Sequence, residues 1–379
     1  MSLGATLLSG LWLRSALTWP GVGGGVNLLY AVHAHSHVAF FGWVVLSVAA
    51  LAVRQCTLSP AQQTIWRFVV HALGALSLMA LVGFARMGYA TPTIVLSAMH
   101  VMLWIPLVSL LWSMPHASAP ARAWWRTAFV ALLAAGAVTI IPAIFAARGI
   151  REGWWRELGI KLFLALFING FAGFASLGLL VARDAREDRL AWARTLLGVT
   201  VAPLAILYVS TPPPEPWLLW VARAAVGVMS IATLAVVRDA WSTPRTPWIR
   251  VALLAWTLIG VLQLVAALGI GSALIHERPV VLAFTHLVLL VAVSPVLATS
   301  LARQPVVAWR PWLATIGAAV MCATLAALGW PWLGALSSRI GLGPLSVMRV
   351  LAITSAVTAF AWLALLPLLF TAHAREESP

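Results

Sequence analysis

Long apolar runs recur along the chain, separated by short stretches rich in Gly, Pro or charge. A bilayer-spanning helix needs about 20 mostly apolar residues. That ruler marks about twelve segments, roughly 3–19, 30–53, 65–88, 93–113, 127–147, 158–182, 195–211, 216–237, 250–274, 280–301, 311–333 and 346–371. The first and seventh are short, so eleven is the alternative count. The breaks carry turn chemistry or charge: PGVGGG at 20–25, RDAREDR at 183–189, TPPPEP at 211–216 and STPRTP at 242–247. Trp124–Trp125 and Trp154–Trp155 stand at segment ends, where interfacial aromatic belts form. No period-two alternation competes, so the expected fold is an all-α polytopic membrane bundle, with residues 1–379 as a single transmembrane domain. No internal repeat is visible.

Composition narrows the class. The chain is 62% hydrophobic and 9% charged, with mean hydropathy +0.97, a balance that soluble globular domains do not have. The net charge of +14 comes from basic residues placed between apolar runs, which anchors helices and orients them, so no nucleic-acid partner is expected. On a twelve-helix path the side holding both termini collects the larger share of the 24 basic residues, which places both termini in the cytoplasm. The basic stretch at 148–161 runs against that bias. Cys56 and Cys322 form no CxxC, CxxCH or disulfide pattern. The N-terminus has no basic n-region or A-x-A-like site, so no removable signal peptide is expected.

Candidate chemistry centres on histidine. His33, His35 and His37 crowd the start of the second segment, and an ionisable group inside a bilayer is a functional hypothesis by default. On this topology the second and tenth segments both start at the outer face. The three histidines then lie on the order of 5–10 Å deep, and His286 about 10 Å deep, at the α-helical rise. His100 enters from the same side, while His71 lies at the opposite depth. His116, His276 and His373 fall in connections or the tail. His33 and His37 are i,i+4 and share a face, and His35 points roughly opposite. Two imidazoles from different helices at one depth suit a haem held edge-on, and imidazole also suits copper or zinc. The plain alternative is that these histidines bond backbone or side chains between helices.

The ten acidic residues all lie in connections, segment ends or the tail. Without a mid-membrane carboxylate, a proton- or cation-coupled transporter is disfavoured, and so are paired-carboxylate catalysis and a carboxylate metal site. Walker, Rossmann and HExxH motifs are missing.

Residues 35–43, HSHVAFFGW, resemble the low-spin-haem helix of haem–copper oxidase subunit I, including its nitric oxide reductase branch. The resemblance extends to the plan of about twelve helices with both termini inside and haem ligands on helices two and ten. It implies a bacterial cytoplasmic (inner) membrane protein with haem b held by His35 and His286; His37 or His33 is the substitute for His35. The family's HxH pair on helix ten corresponds here to Phe284-Thr285-His286, so Phe284 replaces the high-spin ligand. Segments six and seven lack the copper-centre histidines. Asn169-Gly170-Phe171 matches an N-G-W run of shorter oxidase-like proteins whose histidine falls on Ala165. By the same resemblance, Arg339 is the candidate partner of haem propionates.

The leading expectation is therefore a b-type haem protein in electron transfer or haem or gas sensing, not a complete terminal oxidase. Its partners are the lipid bilayer and a cytochrome or oxidase subunit. A second expectation is a copper or nitric-oxide-response protein using His33, His37 and His100. The HAH start resembles an HAHE-type helix of such a family, with Ser36 in place of Glu. A third is a non-catalytic assembly subunit.

Overall fold

A computed structural model describes residues 2–150, 152–181, 189–243, 246–270, 274–302, 309–328 and 344–370, and no strand occurs among them. The helices are α1 (Ser2–Thr18), α2 (Leu28–Val53), α3 (Pro60–Met87), α4 (Thr91–Leu111), α5 (Ala119–Phe145), α6 (Trp154–Val181), α7 (Ala191–Leu207), α8 (Trp217–Trp241), α9 (Pro247–Ala267), α10 (Arg278–Leu301), α11 (Trp309–Leu328) and α12 (Pro344–Phe370). Among the described residues, nine are long and apolar enough to cross a bilayer, namely α2–α6, α8–α10 and, over Val347–Ala364, α12. This is the arrangement of a multi-pass α-helical membrane protein. Helix α7 and the Trp312–Leu328 stretch of α11 are shorter apolar helices.

Several helices begin before their apolar runs do. Ser59 caps α3 with a reciprocal bond to Gln62, Ser118 caps α5 and Thr246 caps α9. Each is followed by Pro within the first two helical positions, whose fixed φ and missing N–H suit a helix start. The caps carry the helix through polar first turns that a hydropathy ruler leaves outside. Helix α9 stops earlier than its apolar run because Gly269 adopts φ 75° just past its end.

Among the described residues, three helices change pitch midway. Val38–Val44 in α2, Ala165–Ala172 in α6 and Leu287–Val293 in α10 are π-helical. They fall on every fourth helix. Such segments are rare, and are frequent at functional sites.

The described residues group into two compact units. Those of 1–116, 297–324 and 331–379 form one, and those of 117–296 and 325–330 the other. In the first, α1 packs on α2 and α12, and α2 packs on α3. Gly42 makes the close approach: a Cβ there would lie 3.0 Å from the Ser2 Cβ and 3.3 Å from that of Ser77. In the second unit α5 lies against α6, with a Gly178 Cβ only 2.7 Å from the Trp124 Cβ. Small residues at such crossings let helices meet where lipid supplies no hydrophobic drive. Helices α8 and α9 are joined by the buried Ser230 hydroxyl, which donates to the Gly260 carbonyl at 2.6 Å.

Gly178→Ala forces α5 and α6 apart and is expected to cost about 1–3 kcal/mol. Gly74→Ala, with nothing within 4 Å of the new methyl, is expected to be neutral or stabilising. Thermal unfolding of the two variants in detergent checks the contrast.

Candidate functional site

Helix α2 sends its histidines in two directions. His35 turns to α1, where its Nδ1 lies 3.1 Å from the Ser9 hydroxyl oxygen. The Ser9 hydroxyl hydrogen is directed at the Thr6 carbonyl, 3.0 Å away. Nδ1 of His35 is therefore the donor, which leaves Nε2 as the acceptor nitrogen of the neutral ring. Gly10 clears the space: a Cβ there would sit 2.9 Å from the His35 Cε1.

His33 and His37 turn the other way, as their spacing predicts. The Nδ1 of His37 donates to the His33 carbonyl at 2.8 Å. Its ring stacks on Phe84 at a centroid distance of 3.9 Å and meets Phe41 edge-on at 5.2 Å. Tyr89 closes the group, 4.6 Å from the His33 ring and 6.1 Å from that of His37.

His100, on α4, is buried at 1% exposure. The Ser77 hydroxyl donates to the Leu73 carbonyl at 2.7 Å, so the His100 Nε2–H donates to Ser77 at 3.0 Å. That leaves the buried His100 Nδ1 as an acceptor with no hydrogen-bond partner. Phe41 stacks on the His100 ring at 4.7 Å, so it is a ring neighbour of both His37 and His100. Among the described residues no group of three His, Cys, Asp or Glu is placed to hold a metal ion, and the trio His33, His37 and His100 forms none.

His286 belongs to the second unit and closes the first part of α10, with the π segment beginning at Leu287. Its Nδ1 donates to the Leu282 carbonyl at 2.7 Å, the same bond along the helix that His37 makes to His33. Phe284, one position from it but one, lies 6.1 Å from the Tyr208 ring. Tyr208 follows α7 directly, and Ser210 and Thr211 just beyond it bind Glu157 in the first turn of α6. The Glu157 carboxylate accepts from the Ser210 N–H and hydroxyl, each at 2.8 Å, and from the Thr211 hydroxyl at 3.1 Å, with the Lys161 ammonium 4.0 Å away. His276, in the connection before α10, is held below its ordinary pKa by partial burial and then by Lys161, with Glu157 and Glu277 opposing.

The remaining sequence candidates lie elsewhere. Arg339 and His373 fall outside the described residues. His71 is exposed and bonds the Arg67 carbonyl at 2.6 Å, and His116 meets the Thr57 hydroxyl. Ala165, where the resemblance expects a histidine, is buried at the start of the α6 π segment. A groove of about 310 Å³ lined by Val53, Cys56, Leu58, Gln63, Trp66 and Arg67 lies at the far end of α2 from its histidines. Partial burial there pushes the Cys56 thiol above its ordinary pKa, against the Met114 N–H, so it is a poor nucleophile at neutral pH.

Ser9, Gly10, Ser77 and Glu157 are the residues that sequence reasoning missed. Only the polarity of Ser9 within an apolar run marked it, and that pattern is common to hydroxyls that bond their own helix. Compared with known proteins, the chain matches no family model and no curated protein.

Glu157→Ala removes the acceptor that ties Ser210 and Thr211 to α6. Limited proteolysis should then cut within 209–216 at a rate several-fold above wild type, while Glu215→Ala, outside that network, leaves the rate unchanged.

Proposed function

We propose that the chain is a b-type haem protein of a bacterial cytoplasmic membrane, with twelve spans and both termini in the cytoplasm, that exchanges electrons with a cytochrome or oxidase subunit. His35 and His286 are the residues that would hold the haem. The observation that carries this reading is the state of those two rings. Each commits its Nδ1 hydrogen to an oxygen within its own unit, Ser9 for His35 and Leu282 for His286, so the neutral ring keeps Nε2 unprotonated, the form that binds iron. Ligating histidines characteristically donate their other N–H to a carbonyl or similar acceptor, which fixes tautomer and orientation. The cradle over Gly10 fits the His35 imidazole, and a larger residue there would displace it.

Held by two histidines, a haem would supply one-electron exchange. The chain's part is to hold the ligand nitrogens and exclude water. Phe284 and Ala165 stand where the resemblance expects further metal ligands, which supports electron carriage rather than oxygen reduction.

The test is a reduced-minus-oxidised spectrum of protein expressed with haem supplied, with a pyridine haemochrome assay. Wild type is expected to show sharp b-type bands unmoved by carbon monoxide, and His286→Ala and His35→Ala to lose the haem. Ser9→Ala should keep the haem but shift its potential, because His35 loses its acceptor. Loss of haem in His37→Ala with retention in His35→Ala would move the ligand two residues along α2. Wild-type protein without haem would overturn the reading.

A further inference from the structure

The second unit contains buried polar atoms that no protein group satisfies. Gln263 on α9 is 2% exposed, and neither its Oε1 nor its Nε2 has a partner. Asn169, inside the α6 π segment, has a buried Oδ1 in the same condition. An unsatisfied buried donor or acceptor costs about 1–3 kcal/mol, and water cannot compensate it from the hydrocarbon side. Leaving three such atoms unmet inside one bundle is unfavourable unless something occupies the place.

The two amides come to one level. Ser210 and Thr211, just past α7, bond Glu157 at the start of α6, so α7 runs antiparallel to α6. The chain reverses again into α8 and into α9, which makes α9 antiparallel to α6 as well. Trp256 fixes where they meet: its indole N–H donates to the Ser176 hydroxyl at 3.4 Å, and a Gly173 Cβ would lie 3.4 Å from its ring. Gln263 is seven residues beyond Trp256, on nearly the same face and about 10 Å along the axis. Asn169 is seven residues before Ser176 and about one widened turn before Gly173. Because the helices are antiparallel, both steps lead toward the same end. The π segment of α10 packs on α9 and on the π segment of α6, so it borders the same interior.

We propose that Asn169 and Gln263 together hold a bound water inside the second unit. The occupant must both donate and accept, because it meets one amide N–H and two carbonyl oxygens. It is neutral, because α6 from Ala165 onward, α9 beyond Arg250 and α10 beyond Arg278 carry no charged side chain. Water satisfies both conditions, and buried waters make about three hydrogen bonds. The proposal stands whether or not the chain binds haem.

Radiolytic hydroxyl labelling of the full chain in detergent tests it. Ile259 is fully buried and one turn from Gln263, so bulk radicals do not reach it, whereas radicals formed from a bound water do. The expected result is oxidation of Ile259 in wild type that falls to background in Gln263→Leu and in Asn169→Leu. Thermal unfolding gives a sign test. With water bound, Gln263→Leu strips a partner from it and lowers the midpoint; in a dry site it removes two orphaned atoms and raises it. Background labelling of Ile259 in wild type, or a raised midpoint in Gln263→Leu, would overturn the proposal. Should Gln263→Leu fail to accumulate, the wild-type labelling decides alone.

Discussion

A hydrocarbon surround offers no partner to an N–H, a carbonyl or a hydroxyl, so the chain must close its hydrogen bonds on itself. Many of the half-buried polar side chains do this along their own helix. Ser36 donates to Val32, Ser97 to Thr93, Thr257 to Leu253 and Thr285 to Val281, each four residues back. His37 and His286 follow the same rule through Nδ1. Bonds that pass between helices set their registers. Ser9 with His35 ties α1 to α2, Ser77 with His100 ties α3 to α4, and Ser230 with the Gly260 carbonyl ties α8 to α9. Trp256 with Ser176 places α9 against α6.

The π segments act on the same bond economy. A widened turn shifts the face that the following residues present, so the residues on either side of it address different neighbours. In α2 and α10 the segment begins immediately after a histidine whose Nδ1 is bonded four residues back. In α6 it begins at Ala165, and Asn169 lies inside it. The recurrence on every fourth helix is a repeat of backbone geometry. It leaves no recognisable repeat in the sequence.

Parts of the candidate site were legible beforehand. The i,i+4 spacing of His33 and His37 put them on one face and His35 on the other, and the helix obeys that spacing. What spacing could not supply was the partner of each ring. Ser9 and Gly10 are ordinary residues of a short apolar helix, and they matter only because α1 crosses α2 there. Phe41 looked like one more aromatic in an apolar run, yet its ring is a neighbour of both His37 and His100. Gln263 stands as a lone amide among apolar residues, which is uninformative until its burial and its missing partners are known.

By itself the sequence determined the class. Apolar runs of bilayer length and breaks of Gly, Pro and charge make a multi-pass helical membrane protein, because transfer of each segment into hydrocarbon depends on its composition. The tertiary structure decided where helices truly start, through the Ser59, Ser118 and Thr246 caps, and how closely they meet, through Gly42 and Gly178. It also decided which nitrogen each imidazole presents and which polar atoms are left unmet. Those properties depend on groups distant in the chain that only the crossing of helices brings within hydrogen-bond range.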